Sequence, residues 1–277
     1  MNILVQIDNL SGNRLRILWA YIIKDLKDVF RFRFSILNFI FSPMLTMVSF
    51  FMVYASVFLI GNVDDLGYVS ESNYVIYLLT GFMAYSCFNL TWGKTDLHIE
   101  KLMLTLEGVL VSPRSRLYIM VGKGIRGFIE ILIIVSLFIP IVWLLHPAID
   151  WPALAVGSLA LLLMFIIFIS FDFIISAIGL AQEGISGFFT NYIPRAFLIV
   201  GAVYFPKQII PEYFQWLVDI NPVYHGVNLF RAAFMTADLP YGTWISLLYL
   251  IILAIITPII AAWTFDYVLK RWGIRGY

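Results

Sequence analysis

Residues 34–63 read FSILNFIFSPMLTMVSFFMVYASVFLIGNV and contain no Asp, Glu, Lys or Arg. A helix needs about 20 largely apolar residues to cross about 30 Å of hydrocarbon, so this stretch is long enough to span a membrane. Three more uncharged stretches, 72–93, 151–171 and 239–265, are also long enough. Two further segments qualify when Glu130 or Arg195 is admitted. We therefore predict an all-α, polytopic membrane protein with six transmembrane helices at about 34–60, 73–93, 118–145, 153–181, 188–205 and 243–268.

The composition of the 277-residue chain agrees with a membrane protein. Hydrophobic residues make up 61% and charged residues 13%, against about 45–50% and about 25% in soluble domains. The net charge of +1 excludes the global basic field that nucleic-acid binding needs. The single cysteine, Cys87, excludes an internal disulfide and a cysteine-based metal cluster. Without repeats or linkers, residues 1–277 are predicted to form one domain: a cytoplasmic segment 1–33, a membrane region 34–268 and a tail 269–277.

Orientation follows from the basic residues, because short loops rich in Lys and Arg stay in the cytoplasm. Residues 1–33, 94–126 and 270–275 hold 15 of the 18 Lys and Arg residues. Residues 61–72 contain three acidic residues and no basic one. We therefore expect both termini to be cytoplasmic in a protein of the cell (inner) membrane, without a cleavable signal peptide.

The segment before the first span has an amphipathic pattern. Its apolar residues recur at three- and four-residue spacing and are Leu15, Leu18, Trp19, Ile22, Leu26 and Phe30. Such a helix is typical of the membrane interface. An ordinary helix packed on the protein's own cytoplasmic face remains the alternative.

The candidate motifs for catalysis and nucleotide binding mostly do not match the required residue pattern. Gly93-Lys94-Thr95 resembles the end of a phosphate-binding loop, but that loop needs a glycine where Phe88 stands. We predict no catalytic residue, no metal site and no cofactor bound by this chain.

Two segments outside the spans have distinctive patterns. Between spans two and three, residues 100–116 predict a short amphipathic helix that ends at Ser112-Pro113. Its candidate contact residues are Glu100, Leu102, Leu106, Glu107, Gly108, Leu110, Ser112 and Pro113. Between spans five and six, a stretch is too polar to span and too apolar for a solvated loop, which favours short helices dipping into the outer leaflet. Its marker residues are Phe205, Pro206, Pro211, Asn221, Pro222 and Arg231.

With these segments, the chain resembles the permease subunits of type-2 ABC transporters. The resemblance rests on the six spans, the Glu-Gly-x-Leu-x-Ser-Pro-x-Ser-Arg segment at 107–116, and the Phe-Pro, Pro, Asn-Pro and Arg pattern at 205–231. It implies that 100–116 is a coupling helix for a separate ATP-binding subunit, and that 206–235 forms re-entrant external helices. It also implies a second permease copy, surrounding membrane lipids, no enzymatic activity in this chain, and ATP with magnesium on the partner subunit.

The sequence leaves the substrate class open. Aromatic residues that could line a pathway are Tyr54 on span one and Tyr74, Tyr77, Tyr85, Phe88 and Trp92 on span two. They could stack on sugars or contact apolar compounds, and packing between helices is the alternative. The region before span one is closer to drug and lipo-oligosaccharide exporters, with a polysaccharide or O-antigen exporter as the alternative. An ATP-independent channel or secondary transporter and an intramembrane enzyme are more distant alternatives.

Three ionisable residues, Glu130, Asp172 and Arg195, fall deep inside spans three, four and five. A lone charge in a bilayer is costly. We therefore expect Arg195 to pair with Asp172 or Glu130 and to hold these helices together.

Overall fold

A computed structural model describes residues 33–59, 65–89, 91–92, 117–145, 149–181 and 185–272, with the single positions 23 and 27. Within these residues there are eight α-helices and one hairpin. The helices are α1 (Arg33–Leu59), α2 (Tyr74–Asn89), α3 (Leu117–Leu145), α4 (Trp151–Ala181), α5 (Ile185–Val200), α6 (Glu212–Ile220), α7 (Pro222–Arg231) and α8 (Gly242–Trp272), and the hairpin strands are β1 (Asp65–Leu66) and β2 (Val69–Ser70). The predicted coupling helix at 100–116 and nearly all of the predicted interfacial segment 1–33 lie outside the described residues.

Three helices contain segments long and apolar enough to cross a membrane. These segments are Gly127–Leu145 in α3, Trp151–Gly179 in α4 and Gly242–Val268 in α8. α1 contains a shorter apolar segment, Met44–Phe58. α2 and α5 have 16 residues each, which at 1.5 Å per residue is about 24 Å and less than the hydrocarbon thickness. The fold is that of a mostly helical membrane protein, and six full-length spans stay a prediction.

α4 is the helix around which the others pack. α8 lies along it, and α7, α5, α2 and α3 also contact it. Ala160 of α4 and Ala254 of α8 are buried in one cluster, and the rings of Phe173 and Phe265 stack with centroids 4.8 Å apart. Small residues at such a contact let two helix backbones approach closely, which is how helices associate in lipid.

A hairpin that the sequence analysis missed precedes α2. Leu66 pairs with Val69, and Gly67 between them has a φ of 67°, a left-handed conformation that glycine adopts without steric cost. Asn73 accepts a hydrogen bond from the backbone amide of Ser70 at 2.9 Å, which ties the hairpin to the start of α2. Strands of two residues leave no periodicity, so the residue pattern could not predict them.

Candidate functional site

The segment between α5 and α8 forms a short 3-10 helix, Lys207–Ile209, followed by α6 and α7. Pro211 precedes α6, and Pro222 is the first residue of α7. A backbone N–H at the first position of a helix has no intrahelical acceptor, so a proline there costs no hydrogen bond. Asn221 caps α7, because its side-chain oxygen accepts a hydrogen bond from the amide of Val223 at 3.0 Å. The predicted short helices are therefore present between α5 and α8.

The two longer helices of this segment have opposite surroundings. All ten residues of α7 are buried, and the helix lies between α2 and α4. α6 instead exposes three aromatic side chains, Tyr213, Phe214 and Trp216. Phe205, at the start of the segment, borders a small space beside α1. The segment thus inserts α7 into the protein and keeps α6 at its surface.

Arg231, the last residue of α7, is fully buried. Its Nη1 donates to Asn228 Oδ1 (3.1 Å) and to the carbonyl of Ala202 (3.4 Å). Its Nη2 donates to the carbonyls of Tyr77 (3.3 Å) and Val203, and its guanidinium carbon lies 3.7 Å from the centroid of the Tyr77 ring. No carboxylate in the described ranges forms an ion pair with Arg231. We call these acceptors the carbonyl cage, and with the ring face they stabilise the buried cation.

Two backbone features allow the carbonyl cage to form. Ala202 has a φ of 47°, in the left-handed region that an L-residue rarely adopts, and its carbonyl also accepts the Tyr77 hydroxyl at 3.1 Å. A Cβ on Gly81 of α2 would overlap Arg231 Nη2 and lie 2.6 Å from the Val203 carbonyl. Only glycine at position 81 leaves room for the guanidinium. The sequence pattern indicated Arg231 but not Gly81.

Two more glycines bring α7 against α4. A Cβ on Gly157 of α4 would lie 2.6 Å from the Cα of Phe230, and a Cβ on Gly226 of α7 would overlap the side chain of Met164. The contact between these helices therefore depends on the absence of a side chain on each of them. Glycines within apolar helices were the available signal, since small residues mark helix contacts in membranes.

Polar contacts hold the segment before α7 and link α7 to the chain on either side of it. Lys207 Nζ lies 2.6 Å from Asp219 Oδ1, and both side chains are mostly buried. His225 Nε2 lies 2.7 Å from the Asp219 carbonyl, and Asn228 donates to the Asp238 carbonyl at 2.8 Å. Burial lowers the pKa of His225, because a buried site disfavours the charged imidazolium.

The predicted pathway aromatics lie on the interior of the single chain or close to it. Tyr77, Phe88 and Trp92 are buried, and the rings of Phe88 and Phe168 meet edge to face with centroids 4.4 Å apart. Tyr54, Tyr74 and Tyr85 complete the set, with Tyr54 buried and the other two half-buried. For Tyr77, Phe88 and Trp92, packing between helices is therefore the role that the single chain supports.

Arg195 has different surroundings from the two carboxylates predicted to lie beside it. Glu130 and Asp172 are buried, at 2% and 1% exposure, whereas Arg195 is exposed on α5. Among the described side chains, Arg195 forms no ion pair with either carboxylate, so the expected pairing of Arg195 is wrong for the single chain. An arginine within a helix in lipid costs at least about 2.5–3.5 kcal/mol, which makes the exposure of Arg195 on α5 a candidate functional feature.

Two apolar spaces lie between the helices. The larger, of about 550 Å³, is lined by α3, α4 and α7, with Phe128, Leu161 and Phe230 among its walls. The second, of about 390 Å³, lies between α5, α6 and α8 and includes Phe197 and Trp216. Their walls are almost entirely carbon, which suits hydrocarbon groups rather than sugars.

Comparison with known proteins identifies the family. Residues 17–235, about four-fifths of the chain, match the ABC-2 type transporter family. A sequence comparison with curated proteins finds no match. The match includes α1 to α7, the carbonyl cage and the segment predicted as the coupling helix. The chain therefore belongs to the ABC-2 type transporter family as a membrane-embedded permease, and this family implies pairing with an ATP-binding ABC subunit.

Proposed function

We propose that this permease exports a hydrophobic or amphipathic compound, such as a drug, lipid or lipo-oligosaccharide, using ATP and magnesium bound by its partner subunit. The observation that carries the substrate class is the apolar space of about 550 Å³ between α3, α4 and α7. A sugar chain leaves hydroxyls without hydrogen-bond partners against such walls, at a cost in free energy. A hydrocarbon tail has no such groups.

The packing of the helices suggests how the permease changes state. α2, α4, α7 and α8 make the most extensive contacts, and the carbonyl cage links α2 to α7. α1 packs mainly against α2, and α5 mainly against α4. We infer that the four helices move as one body, and that α1 and α5 shift against it when the ATP-binding subunits close. The family resemblance assigns transmission of this movement to residues 100–116.

The coupling role of residues 100–116 is tested by replacing Glu107 with lysine or Gly108 with arginine. We expect either variant to insert normally and to lose stimulation of ATP hydrolysis by substrate. Substrate-stimulated ATP hydrolysis at the wild-type rate in both variants contradicts the coupling role, and loss of membrane insertion indicates a role in folding.

A homodimer along α1 and α5 accounts for their exposed side chains. Met52 and Val53 of α1 and Ile199 of α5 are exposed in the single chain. The neighbouring Tyr54 is buried, so a cysteine at that position is a poor crosslinking site. Cysteines at Met52 and Ile199, in a chain with Cys87 replaced by alanine, should form crosslinks between two subunits in membranes. A chain with a cysteine at Trp244, exposed at the start of α8, is the matched control and should stay uncrosslinked.

The proposed activity is tested in proteoliposomes that contain the permease and its ATP-binding subunit. We expect ATP-dependent movement of a fluorescent short-chain lipid or a hydrophobic dye, with both termini on the ATP side. Movement of a polysaccharide alone favours the polysaccharide exporter, and movement without ATP favours a channel or secondary transporter. A variant of the ATP-binding subunit that binds ATP without hydrolysing it is the control.

A further inference from the structure

We propose that Arg195 binds the anionic headgroup of an amphipathic substrate inside the permease dimer, an inference that rests on the proposed export function. Arg195 lies within α5, ten residues after its start at Ile185 and five before its end at Val200, or about 15 Å and about 7.5 Å along the helix. Its side chain is exposed in the single chain. A charged side chain within a membrane helix favours a partner or a water-filled space over lipid.

The exposed face of α5 joins polar and apolar groups. Asn191 and Tyr192 lie one turn before Arg195 on the same face, and Phe188 and Ile199 extend it at either end. The opposite face, with Phe189, Ile193 and Phe197, packs against the core. A polar centre between apolar ends matches a compound that has one charged group and a hydrocarbon tail.

Helices α1, α2 and α5 offer no counter-charge to Arg195, and Asp172 of the adjacent helix α4 is buried and forms no ion pair with it. Between Arg33 and Leu59, between Tyr74 and Asn89, and between Ile185 and Val200, the sequence contains no Asp or Glu. If two permeases pair along α1 and α5, each Arg195 therefore faces helices without carboxylates. We therefore assign the counter-charge of Arg195 to a bound ligand, and the guanidinium geometry favours a phosphate or carboxylate.

The backbone that carries Arg195 is held in place by α2. The hydroxyl of Tyr85 donates to the carbonyl of Pro194 at 3.4 Å. Pro194 itself is buried, so the turn of α5 before Arg195 is anchored while the guanidinium stays free. A fixed backbone with an exposed cation is the arrangement that a binding site needs.

The test measures binding to the permease with its ATP-binding subunit in nanodiscs of neutral lipid, without ATP. The probes are radiolabelled dodecyl phosphate and radiolabelled dodecanol, which share a tail and differ in the headgroup. Wild-type protein should bind dodecyl phosphate at least about 10-fold more tightly than dodecanol, because hydrogen bonds to a charged group are the strong ones. Equal affinity for the two probes overturns the proposal without any variant.

Three variants locate the site. Arg195→Gln should weaken dodecyl phosphate binding about 10- to 100-fold and leave dodecanol binding unchanged, while Arg195→Lys keeps most of the preference because it keeps the charge. Arg271→Gln, at an exposed position near the end of α8, is the matched control and should bind like the wild type. Unchanged dodecyl phosphate binding in Arg195→Gln, or an equal loss for both probes, overturns the assignment.

Two further measurements distinguish a headgroup site at Arg195 from a site for free anions, and the Arg195 site from the export function. Inorganic phosphate at the concentration of dodecyl phosphate should not compete, and equal competition would identify a free-anion site instead. A preference for dodecyl phosphate without ATP-driven transport would support the Arg195 site and contradict the export function. ATP-driven transport of neutral compounds without a preference for dodecyl phosphate would support the export function and contradict the Arg195 site.

Discussion

Arg231 and Arg195 are two arginines on described helices, and their surroundings are opposite. Arg231 is buried, its two Nη atoms donate to three backbone carbonyls and Asn228, and its guanidinium lies over the Tyr77 ring. Arg195 is exposed on α5. A buried cation whose terminal nitrogens donate to fixed acceptors stabilises the fold, whereas a cation held on a fixed backbone without acceptors is available to a ligand.

The largest effect is expected from removing the caged cation. Arg231→Met removes the donors to the Val203 carbonyl and to Asn228 Oδ1, and each buried unpaired group costs about 1–3 kcal/mol. The Ala202 carbonyl keeps the Tyr77 hydroxyl as a donor, and the Tyr77 carbonyl keeps the Thr80 hydroxyl. We expect a loss of at least about 2 kcal/mol, or a Tm lower by roughly 5 °C, measured by thermal unfolding in detergent.

Arg271→Met is the control for this prediction. Its guanidinium donates to the Tyr267 hydroxyl at an exposed position, so its Tm should stay within about 1–2 °C of the wild type, as for most surface changes. An equal decrease in Tm for Arg231→Met and Arg271→Met would show that the effect is not specific to the carbonyl cage.

A second prediction changes the carbonyl cage without removing its cation. Gly81→Ala places a Cβ against Arg231 and 2.6 Å from the Val203 carbonyl, and overpacking of this kind costs about 1–3 kcal/mol. Gly187→Ala is the matched control, because nothing lies within 4 Å of its Cβ on α5, and it should be neutral or slightly stabilising.

The two glycine variants are compared by thermal unfolding, and Gly81→Ala is then combined with Arg231→Met. Because both changes act on one contact, the combined loss should be smaller than the sum of the single losses. Additive losses would mean that Gly81 does not act through Arg231.

The importance of Arg231 could be predicted from the sequence, but its surroundings could not. Arg231 stands in a pattern of prolines and Asn221 that the family resemblance singles out, so its importance was predictable. Its partners were not, since the carbonyl of Tyr77 lies 154 residues away in the chain and spacing carries no information on such contacts. The helix positions were predictable because uncharged stretches set them.

The pairing of Arg195 was wrong for a specific reason. Depth along a helix places Arg195, Asp172 and Glu130 at similar levels but does not say which way each side chain points. The exposed residues Phe188, Tyr192 and Ile199 repeat at three- and four-residue spacing with Arg195, and this pattern was readable in the sequence. Reading the face as well as the depth would have separated Arg195 from the buried carboxylates.

A third, smaller effect is the dependence of stability on pH through His225 of α7. The pKa of His225 is lowered by burial, so below the ordinary histidine value of about 6.5 the unfolded chain binds more protons than the folded one. Stability should be constant above that pH and should fall as the pH decreases through it. Thermal unfolding between pH 8 and pH 5 measures this, and His225→Gln should show a smaller decrease.

The smallest effect is expected at the rim of the same segment, where Lys207 and Asp219 form an ion pair of 2.6 Å. Both side chains keep some contact with solvent, at 14% and 19% exposure, so the attraction is partly screened and holding two side chains together offsets part of it. Lys207→Gln and Asp219→Asn should each cost less than about 1 kcal/mol, with a coupling of about 0.5 kcal/mol in a double-mutant cycle that decreases at high salt. Asp219→Asn keeps the backbone carbonyl that meets His225, so the cycle isolates the ion pair. A coupling as large as the loss in Arg231→Met would mean that the rim, and not the carbonyl cage, holds α7 in place.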